Sequence, residues 1–186
     1  MIDPNKNPWT ILSEKKIYNN PWIELTEFDV LNPQGGKGIY SVVHFHNLAI
    51  GILPLDEENN TWLVGQYRFP LKNYSWEIPE GGGNKNIPPI ESAKRELLEE
   101  TGIEAQEWIP IIETHLSNSA MDEFGIIYIA KGLSFQKSSP EETEELQVKK
   151  IAFEEVYKMV LNGEITDSLS MLAVMKTKLL MIEGKL

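Results

Sequence analysis

The sequence predicts an α/β domain, in which short strands are combined with two or three helices. Residues 23–28 alternate apolar and polar side chains, and residues 48–55 form a short apolar run; both patterns are typical of strands. Residues 89–101 instead place apolar side chains at helical spacing. The chain has 186 residues, of which 41% are hydrophobic, so it is long enough for one folded domain with an extension.

The first 45 residues are predicted to form a β extension. Strands at residues 23–28 and 39–45 are joined by the turn-forming residues 32–36, which is the pattern of a hairpin. An isolated hairpin is only marginally stable in water. We therefore expect residues 1–45 to pack against the main domain, residues 46–186, or against a second copy of the chain, and we interpret them as a dimerisation element.

The main domain alternates predicted strands and helices. Residues 89–101 begin at a proline and are followed by Gly102, which suits the two ends of a helix. Asp167 or Ser168 can cap a last helix that runs to about residue 182. The remaining predicted strands are 48–55, 61–69, 109–115, 124–130 and 146–153, the remaining helix is 154–162, and 132–143 is predicted to be a loop.

The composition narrows the classes of function. The chain carries 28 acidic and 17 basic residues, a net charge of −11, and a surface this negative repels phosphate backbones, so we expect no nucleic-acid partner. There is no cysteine, which excludes disulfides, thiolate metal sites and a cysteine nucleophile. No long apolar run and no signal peptide is visible in the sequence, so we expect no membrane partner and a cytoplasmic location.

The helix predicted at residues 89–101 concentrates acidic side chains. At about 100° per residue, Glu96, Glu99 and Glu100 share one face of this helix, separate from its apolar stripe. No lysine or arginine occurs in the 35 residues after Arg95. One interpretation is a solvated acidic face. The other is a site for a hard divalent cation such as Mg²⁺, which takes carboxylate oxygens and is commonly shared with substrate phosphates.

Gly81 and residues 95–103 together resemble the Nudix box, the signature motif of the Nudix hydrolases. The family pattern is a glycine, a glutamate six residues later, and then Arg-Glu-apolar-x-Glu-Glu-x-Gly-apolar. Eight of the nine defined positions agree, and the exception is Ile87, where the family has glutamate. The family's glutamate at this position would support Arg95, so its replacement by isoleucine leaves that support in doubt. Glu91, one turn earlier on the helix, could supply it instead.

The resemblance implies the Nudix fold, an α/β/α sandwich around a mixed β-sheet, here with an N-terminal β extension. It also implies cleavage of a nucleoside diphosphate linked to another group, by water attack at phosphorus with Mg²⁺, or Mn²⁺, as cofactor. The metal ligands would be Glu96, Glu99, Glu100 and the backbone carbonyl of Glu80, whose side chain is a further candidate. Three further box residues would have structural roles: Gly81, Arg95 and Gly102.

Segments outside the box are similar to the ADP-ribose and nucleotide-sugar pyrophosphatase branch of the family. They are residues 20–22, 66–68, 76–81 and 163–168. In this branch an acidic loop before the last strand supplies the catalytic base, which takes the proton of the attacking water. The base here would be Glu142, with Glu144 second and Glu99 or another box acid as a further option. A solvated turn is the alternative interpretation of this loop.

Substrate contacts are implied for four residues outside the box. Arg68 is at a family position that contacts substrate, and arginine grips phosphate in a bidentate way; a surface salt bridge is the alternative. Trp22 is a candidate for stacking on the base, although core packing is the commoner role of such a residue. Ser119 and Glu123 belong to a loop that would line the pocket for the sugar.

The sequence favours a nucleoside diphosphate sugar as substrate. ADP-ribose enzymes of the family carry a proline some fifteen residues after the box, and residues 116–120 contain none. GDP-mannose and ADP-ribose both remain examples, because the sequence does not distinguish base and sugar. Two other interpretations stay open: an RNA 5′-pyrophosphohydrolase, against which the net charge argues, and a non-catalytic nucleotide sensor, which Ile87 favours. A homodimer is expected through residues 1–45.

Overall fold

The computed structural model describes residue 3, residues 5–137 and residues 145–186. This part of the chain forms ten strands and three helices, which confirms the predicted α/β class, and none of these helices is long and apolar enough to span a membrane. In chain order the elements are β1 Thr10–Asn19, β2 Ile23–Leu31, β3 Lys37–Phe45, β4 Asn47–Pro54, β5 Asn60–Arg68, β6 Asn73–Glu77, β7 Glu80–Asn84, α1 Pro89–Thr101, β8 Ile103–His115, β9 Phe124–Phe135, β10 Gln147–Ala152, α2 Phe153–Leu161 and α3 Ser168–Ile182.

The first structural unit comprises Met1–Asn47 and His115–Glu123. Its antiparallel sheet has the strand order β1-β2-β3, and β2 and β3 form the predicted hairpin. The hairpin turn is closed by Asn32, whose side-chain oxygen accepts hydrogen bonds from the backbone N–H groups of Gln34 and Gly36 at 2.9 and 3.0 Å. The domain boundary after residue 45 and the dimerisation role of the extension stay predictions.

The segment His115–Glu123 belongs to the first unit because hydrogen bonds fix it to β3. The Val43 N–H donates to the Ala120 carbonyl at 3.0 Å. The Tyr40 hydroxyl donates to the Ser119 carbonyl at 2.7 Å. The loop expected to line a sugar pocket is therefore ordered against the N-terminal sheet.

The second unit comprises Leu48–Thr114 and Phe124–Leu186. It contains a four-stranded sheet with the order β7-β4-β9-β8 and a three-stranded antiparallel sheet with the order β10-β5-β6. In the larger sheet β4 and β9 pair in parallel, with Ala49 opposite Gly125. Parallel pairing needs a long connection, and here that connection includes α1.

The strands β4 and β9 have a helix on each face, because alternate residues of a strand point to opposite sides. On one face they pack with α1 in a buried cluster that includes Ile50, Ile52, Ala93, Leu97, Ile126 and Tyr128. On the other face Gly51 lies against α3, since a Cβ placed on Gly51 would be 3.6 Å from the Leu169 Cβ. The fold is therefore the α/β/α sandwich that the sequence predicts.

The ends of α1 and α3 agree with the sequence prediction. Pro89 is the first residue of α1, and Gly102 ends it in the left-handed conformation (φ 71°), with its N–H bonded to the Leu98 carbonyl at 2.8 Å. Asp167 caps α3, because its carboxylate accepts a hydrogen bond from the Ser170 N–H at 2.7 Å. Both helices thus begin or end at residues whose chemistry is visible in the sequence.

The strand prediction is wrong in several places. β8 begins at Ile103 instead of residue 109, and β6 was not predicted to be a strand. β9 continues past Ala130 to Phe135, through the start of the segment predicted to be a loop, because Gly132 adopts a positive φ of 66° without ending the strand. Residues 81–83, three glycines that were not predicted to be a strand, lie in β7 at the edge of the larger sheet. The predicted loop residues 138–143 lie outside the described residues.

Candidate active site

Two of the three glutamates of the box helix α1 lie in the interior of the second unit. Glu96 and Glu100 are buried, with 8% and 2% of their surface exposed, and Glu99 is half-buried. The Glu80 N–H donates a hydrogen bond to a Glu100 carboxylate oxygen at 3.0 Å. The interpretation as a solvated acidic face is therefore wrong for Glu96 and Glu100.

Arg95 holds two of the box carboxylates. Its Nη1 donates to Glu99 at 2.8 Å, as the i, i+4 spacing predicts, and its Nη2 contacts the Glu96 carboxylate. Burial lowers the pKa of Arg95, but the charges of Glu96 and Glu99 outweigh burial and hold that pKa above its usual value. Glu91, which we expected to support Arg95, instead accepts a hydrogen bond from Lys94 at 2.9 Å.

The glycine strand β7 lies directly on the Glu96 side chain. A Cβ placed on Gly81 would come within 2.3 Å of the Glu96 carboxyl carbon and 2.5 Å of both of its oxygens. The next residue also contacts the helix, because the Gly82 carbonyl accepts a hydrogen bond from Arg95 Nη2 at 3.0 Å. Glycine at the start of the box is thus required by the close approach of a backbone to a carboxylate.

A second acidic group lies beside this strand. One carboxylate oxygen from each of Glu77, Glu80 and Asp167 lies within 4.8 Å of the other two. Arg68, at the end of β5, donates from Nε to both Glu77 oxygens at 3.0 Å and from Nη2 to Glu80 at 2.8 Å. Arg68 therefore forms an ion pair, as the alternative interpretation expects, but its carboxylate partners are buried and the pair is not a surface salt bridge. Its contact with a substrate phosphate stays a prediction.

The charges of this acidic group do not balance. Burial raises the pKa of Glu80 well above its ordinary value, and the neighbouring carboxylates of Asp167 and Glu77 raise it further, against the effect of Arg68. The Glu80 Oε2 atom is buried and has no hydrogen-bond partner among the described residues. A buried carboxylate oxygen without a donor is a costly arrangement unless a proton or a cation satisfies it.

Helix α3 fixes the segment that carries Glu77 and Glu80. The Ile78 N–H donates to the Ser170 hydroxyl at 2.9 Å, and both residues are buried. The Pro79 carbonyl accepts a hydrogen bond from the Ile52 N–H of β4 at 2.8 Å. The acidic group is thus built from three chain segments, at the end of β6, the beginning of β7 and the N-cap of α3, and its arginine partner comes from a fourth, the end of β5.

Sequence reasoning missed Glu77 and Asp167 as members of the site. Glu77 lies between Trp76 and Ile78 in a segment noted only for its similarity to the family branch, and Asp167 was predicted only as a helix cap. A signal for Glu77 was present, because an acidic residue between two large apolar residues is usually paired when it is buried. Asp167 gave no comparable signal, since capping alone explains an aspartate at that position.

The other predicted site residues either belong to the first unit or fall outside the described residues. Trp22 is in the turn between β1 and β2, with 67% of its surface exposed. Ser119 and Glu123 belong to the segment of the first unit that is bonded to β3. The two candidate bases, Glu142 and Glu144, lie outside the described residues.

An α/β/α fold whose glutamate-bearing helix packs against a glycine strand defines the class of protein as a Nudix hydrolase. A family model described as NUDIX domain matches residues 45–169, and one described as nucleoside diphosphate sugar hydrolase N-terminal domain matches residues 9–43. The chain therefore belongs to the Nudix family, as the box motif predicts, and it is a pyrophosphohydrolase.

The chain is similar to several named proteins over most of its length. The ADP-ribose pyrophosphatase of Bacillus subtilis (strain 168) is 30% identical over 165 residues, which cover 88% of this chain and 89% of that protein. The ADP-ribose pyrophosphatase of Mycobacterium tuberculosis is 29% identical over 168 residues, 88% and 80% of the two chains. The methanol dehydrogenase activator of Bacillus methanolicus is 30% identical over 165 residues, 88% and 89%.

Two further comparisons are with a solved structure and with a relative that matches only part of the chain. A solved structure of an ADP compounds hydrolase superimposes with a TM-score of 0.86 and covers 99% of this chain and 100% of its own, at 17% sequence identity. At that identity the likeness shows the common fold. The RNA pyrophosphohydrolase of Bartonella clarridgeiae is 38% identical over 73 residues, which cover 32% of this chain and 42% of that protein.

Proposed function

We propose that this chain hydrolyses the pyrophosphate bond of a nucleoside diphosphate sugar, of the ADP-ribose or GDP-mannose type, to a nucleoside monophosphate and a sugar phosphate. The observation that carries the proposal is the arrangement of the buried Glu96 and Glu100 against the glycine strand β7. Relatives named ADP-ribose pyrophosphatase match 88% of the chain, whereas a relative named RNA pyrophosphohydrolase matches only 32%. These coverages favour a nucleotide-sugar substrate over RNA.

The residues of the site fit a divalent cation, for which we propose Mg²⁺, with Mn²⁺ as the second choice. Hard cations take carboxylate and carbonyl oxygens, and the donors here are Glu96, Glu99, Glu100 and the backbone carbonyl and side chain of Glu80. A cation on the buried Glu80 Oε2 would satisfy an oxygen that otherwise needs a proton. A bound cation would neutralise the charge of the diphosphate and make a water molecule more acidic.

Other residues of the chain are proposed to bind the substrate phosphate, to orient the metal ligands and to take the proton of the attacking water. Arg68 holds Glu77 and Glu80 in place, and its side chain is one-third exposed, so we propose that a substrate phosphate binds to it. Arg95 keeps Glu96 and Glu99 oriented. We propose Glu142 as the base that takes the proton of the attacking water, with Glu144 and then Glu99 as the next choices. We propose that Trp22 stacks on the nucleobase of the substrate.

Three further parts of the proposal concern the sugar pocket, the oligomeric state and the cellular location. The loop containing Ser119 and Glu123 is proposed to line the sugar pocket, and its hydrogen bonds to β3 are consistent with a preformed wall. A homodimer through residues 1–45 is proposed because apolar side chains are exposed on both faces of the N-terminal sheet, with Ile11 56% exposed on one face and Ile39 66% exposed on the other, and a partner surface would cover such side chains. A cytoplasmic location is proposed from the lack of cysteine.

A direct assay tests the proposal. Purified protein is incubated with Mg²⁺ and a panel of nucleoside diphosphate sugars, and nucleoside monophosphate is measured. Glu96→Gln and Glu100→Gln should each reduce turnover by more than the roughly 10–100-fold that loss of an outer partner of a metal site costs. Glu107→Gln is the matched control, because Glu107 is exposed and follows the helix. Binding of every panel member without turnover, under several metals, would instead identify a sensor, which Ile87 in place of the box glutamate would explain.

The assignment of the base has its own test. Glu142→Gln should lower turnover while Mg²⁺ affinity, measured by calorimetry, stays unchanged. Loss of Mg²⁺ affinity would make Glu142 a ligand rather than a base. Full turnover in Glu142→Gln together with a loss in Glu144→Gln would move the role to Glu144.

A further inference from the structure

A groove on the second unit is lined by residues that, apart from Arg95, have no role in the proposed chemistry. Its volume is ≈ 570 Å³, and it is lined by residues of α1, β8 and β9. This volume is within the range of roughly 300–1,000 Å³ that is usual for small-molecule sites. Lys94, on the groove wall, lies about 160° around the helix axis from Glu96, at 100° per residue. The groove and the proposed metal ligands therefore occupy different faces of the same helix.

The wall of the groove contains a fixed aromatic ring. The Trp108 indole N–H donates a hydrogen bond to the Ala105 carbonyl at 3.2 Å. The same ring makes an edge contact with Tyr128, at 6.3 Å between centroids and an interplanar angle of 78°. Trp108 is only half-buried, and Leu98 and Ala105 continue the apolar lining beside it. A planar ligand can pack on this surface without rearrangement of the indole.

The same lining carries positive charge. Lys94 and Arg95 both face the groove, and Glu104 is the single acidic residue among its lining residues. Lys94 pairs with Glu91 at 2.9 Å, but both side chains are about half exposed, and ion pairs between exposed side chains contribute little to stability. An anion in the groove can therefore take Lys94 from Glu91 at little cost.

Arg95 contributes positive charge to the groove, but its guanidinium group is already engaged in other hydrogen bonds. Both of its terminal nitrogens already bond to the carboxylates of Glu96 and Glu99 and to a backbone carbonyl. Lys94 is therefore the residue that would bind an anionic group directly. Gln106 and Ser134, also in the lining, add neutral hydrogen-bonding groups. In a chain with a net charge of −11, an aromatic wall next to two consecutive cations is a local feature that favours an anionic aromatic ligand.

We propose that this groove binds a small molecule that carries both an aromatic ring and a phosphate group, of the nucleoside monophosphate class. The ring packs on Trp108 and the phosphate pairs with Lys94. The binding does not require a metal ion, because neither residue belongs to the proposed metal site. The proposal goes beyond hydrolysis, since it assigns a second ligand site on the reverse side of the box helix.

Calorimetry with AMP as the probe tests the site in the presence of EDTA, so that hydrolysis and metal binding play no part. We expect saturable binding of one AMP per chain, and weaker binding of adenosine and of inorganic phosphate, each of which lacks half of the contacts. Lys94→Glu should weaken AMP binding at least tenfold. Lys158→Glu, a charge-matched change at an exposed lysine of α2, should leave it unchanged.

Photolabelling locates the ligand independently of any variant. 8-Azido-AMP should label the wild-type chain, in EDTA, within residues 104–108 of β8, which contribute to the groove and include no proposed metal ligand, and excess AMP should protect these residues. Equal AMP affinity in Lys94→Glu and in the wild type, or label confined to residues 66–81 around the proposed active site, would overturn the proposal. Neither result changes what the hydrolysis assay would show. The proposal for the groove can therefore be refuted while the proposed hydrolysis stands, and the reverse.

Discussion

Replacing Gly81 by alanine would place a methyl group against the proposed metal ligand Glu96. The new Cβ would lie 2.3 Å from the Glu96 carboxyl carbon, whereas non-bonded carbon atoms keep about 3.5–4.0 Å. The carboxylate must therefore move by about 1 Å or more. A misplacement of about 1 Å at a reacting centre can cost on the order of 100-fold in rate, and we expect a loss of that size in kcat.

The structure also predicts what Gly81→Ala leaves intact. The obstructing group is the end of a flexible side chain, so the strand itself need not shift, and the cost in stability should be near the lower end of the about 1–3 kcal/mol that overpacking causes. The assay measures kcat on ADP-ribose, Mg²⁺ affinity by calorimetry, and the urea midpoint. We expect a loss of turnover and of Mg²⁺ affinity, with a urea midpoint that falls by only about 0.5 M, since a cost of about 1 kcal/mol is divided by a slope of about 2 kcal/mol/M.

Two other glycines serve as controls for this experiment. A Cβ on Gly38, in β3, would meet nothing within 4 Å, so Gly38→Ala should leave every measurement unchanged. A Cβ on Gly83 would lie 2.7 Å from Ile50, a core residue, so Gly83→Ala should lower stability without a specific loss of Mg²⁺ affinity. If Gly81→Ala kept kcat and Mg²⁺ affinity within about threefold of the wild type, the position of Glu96 would not matter for catalysis, and the argument for the site would be wrong.

Three further predictions concern acid stability, an interior hydrogen bond and assembly. Burial raises the pKa of Asp56, but hydrogen bonds from Lys150 and from the turn outweigh it and lower that pKa to about 2; this stabilisation, about 1 kcal/mol after allowance for solvent screening, is present above pH 4 and lost as the pH falls towards 2, and urea titrations should show Asp56→Asn lacking it. Ser170→Ala removes the acceptor of the buried Ile78 N–H and should lower the free energy of unfolding by about 1–3 kcal/mol, whereas an unchanged urea midpoint would contradict the role of that bond. Light scattering at micromolar concentration should give a dimer, and deletion of residues 1–45 should give a monomer; a monomeric full chain would refute the proposed assembly.

The parts of the structure that were predictable from the sequence depend on short-range signals. Pro89, the apolar stripe and Gly102 are adjacent in the chain, and together they gave both ends of α1 as the structure has them. The box residues are equally local, so their shared helix face followed from spacing alone. Gly132 shows the limit of the same approach, because a glycine normally interrupts a strand, but here the sheet neighbours of β9 maintain it.

The parts that were missed depend on contacts between distant segments. Ile78 and Ser170 are 92 residues apart in the chain, and neither residue carries a local sign that they will meet. The approach of Asp167 to Glu77 and Glu80 has the same origin, since it follows from the packing of α3. Burial of Glu96 and Glu100 was also not predictable, because a helical wheel gives the relative direction of side chains and not what covers them.

The bond between Ser170 and Ile78 has a consequence for the order of assembly during translation. The box helix and the strands around Glu77 leave the ribosome well before residues 167–170 do. Until α3 emerges, Ile78 has no hydroxyl acceptor for its N–H and the acidic group lacks its third carboxylate. Nascent chains arrested before residue 167 should therefore lack both this hydrogen bond and the third carboxylate, and both are added only when α3 leaves the ribosome.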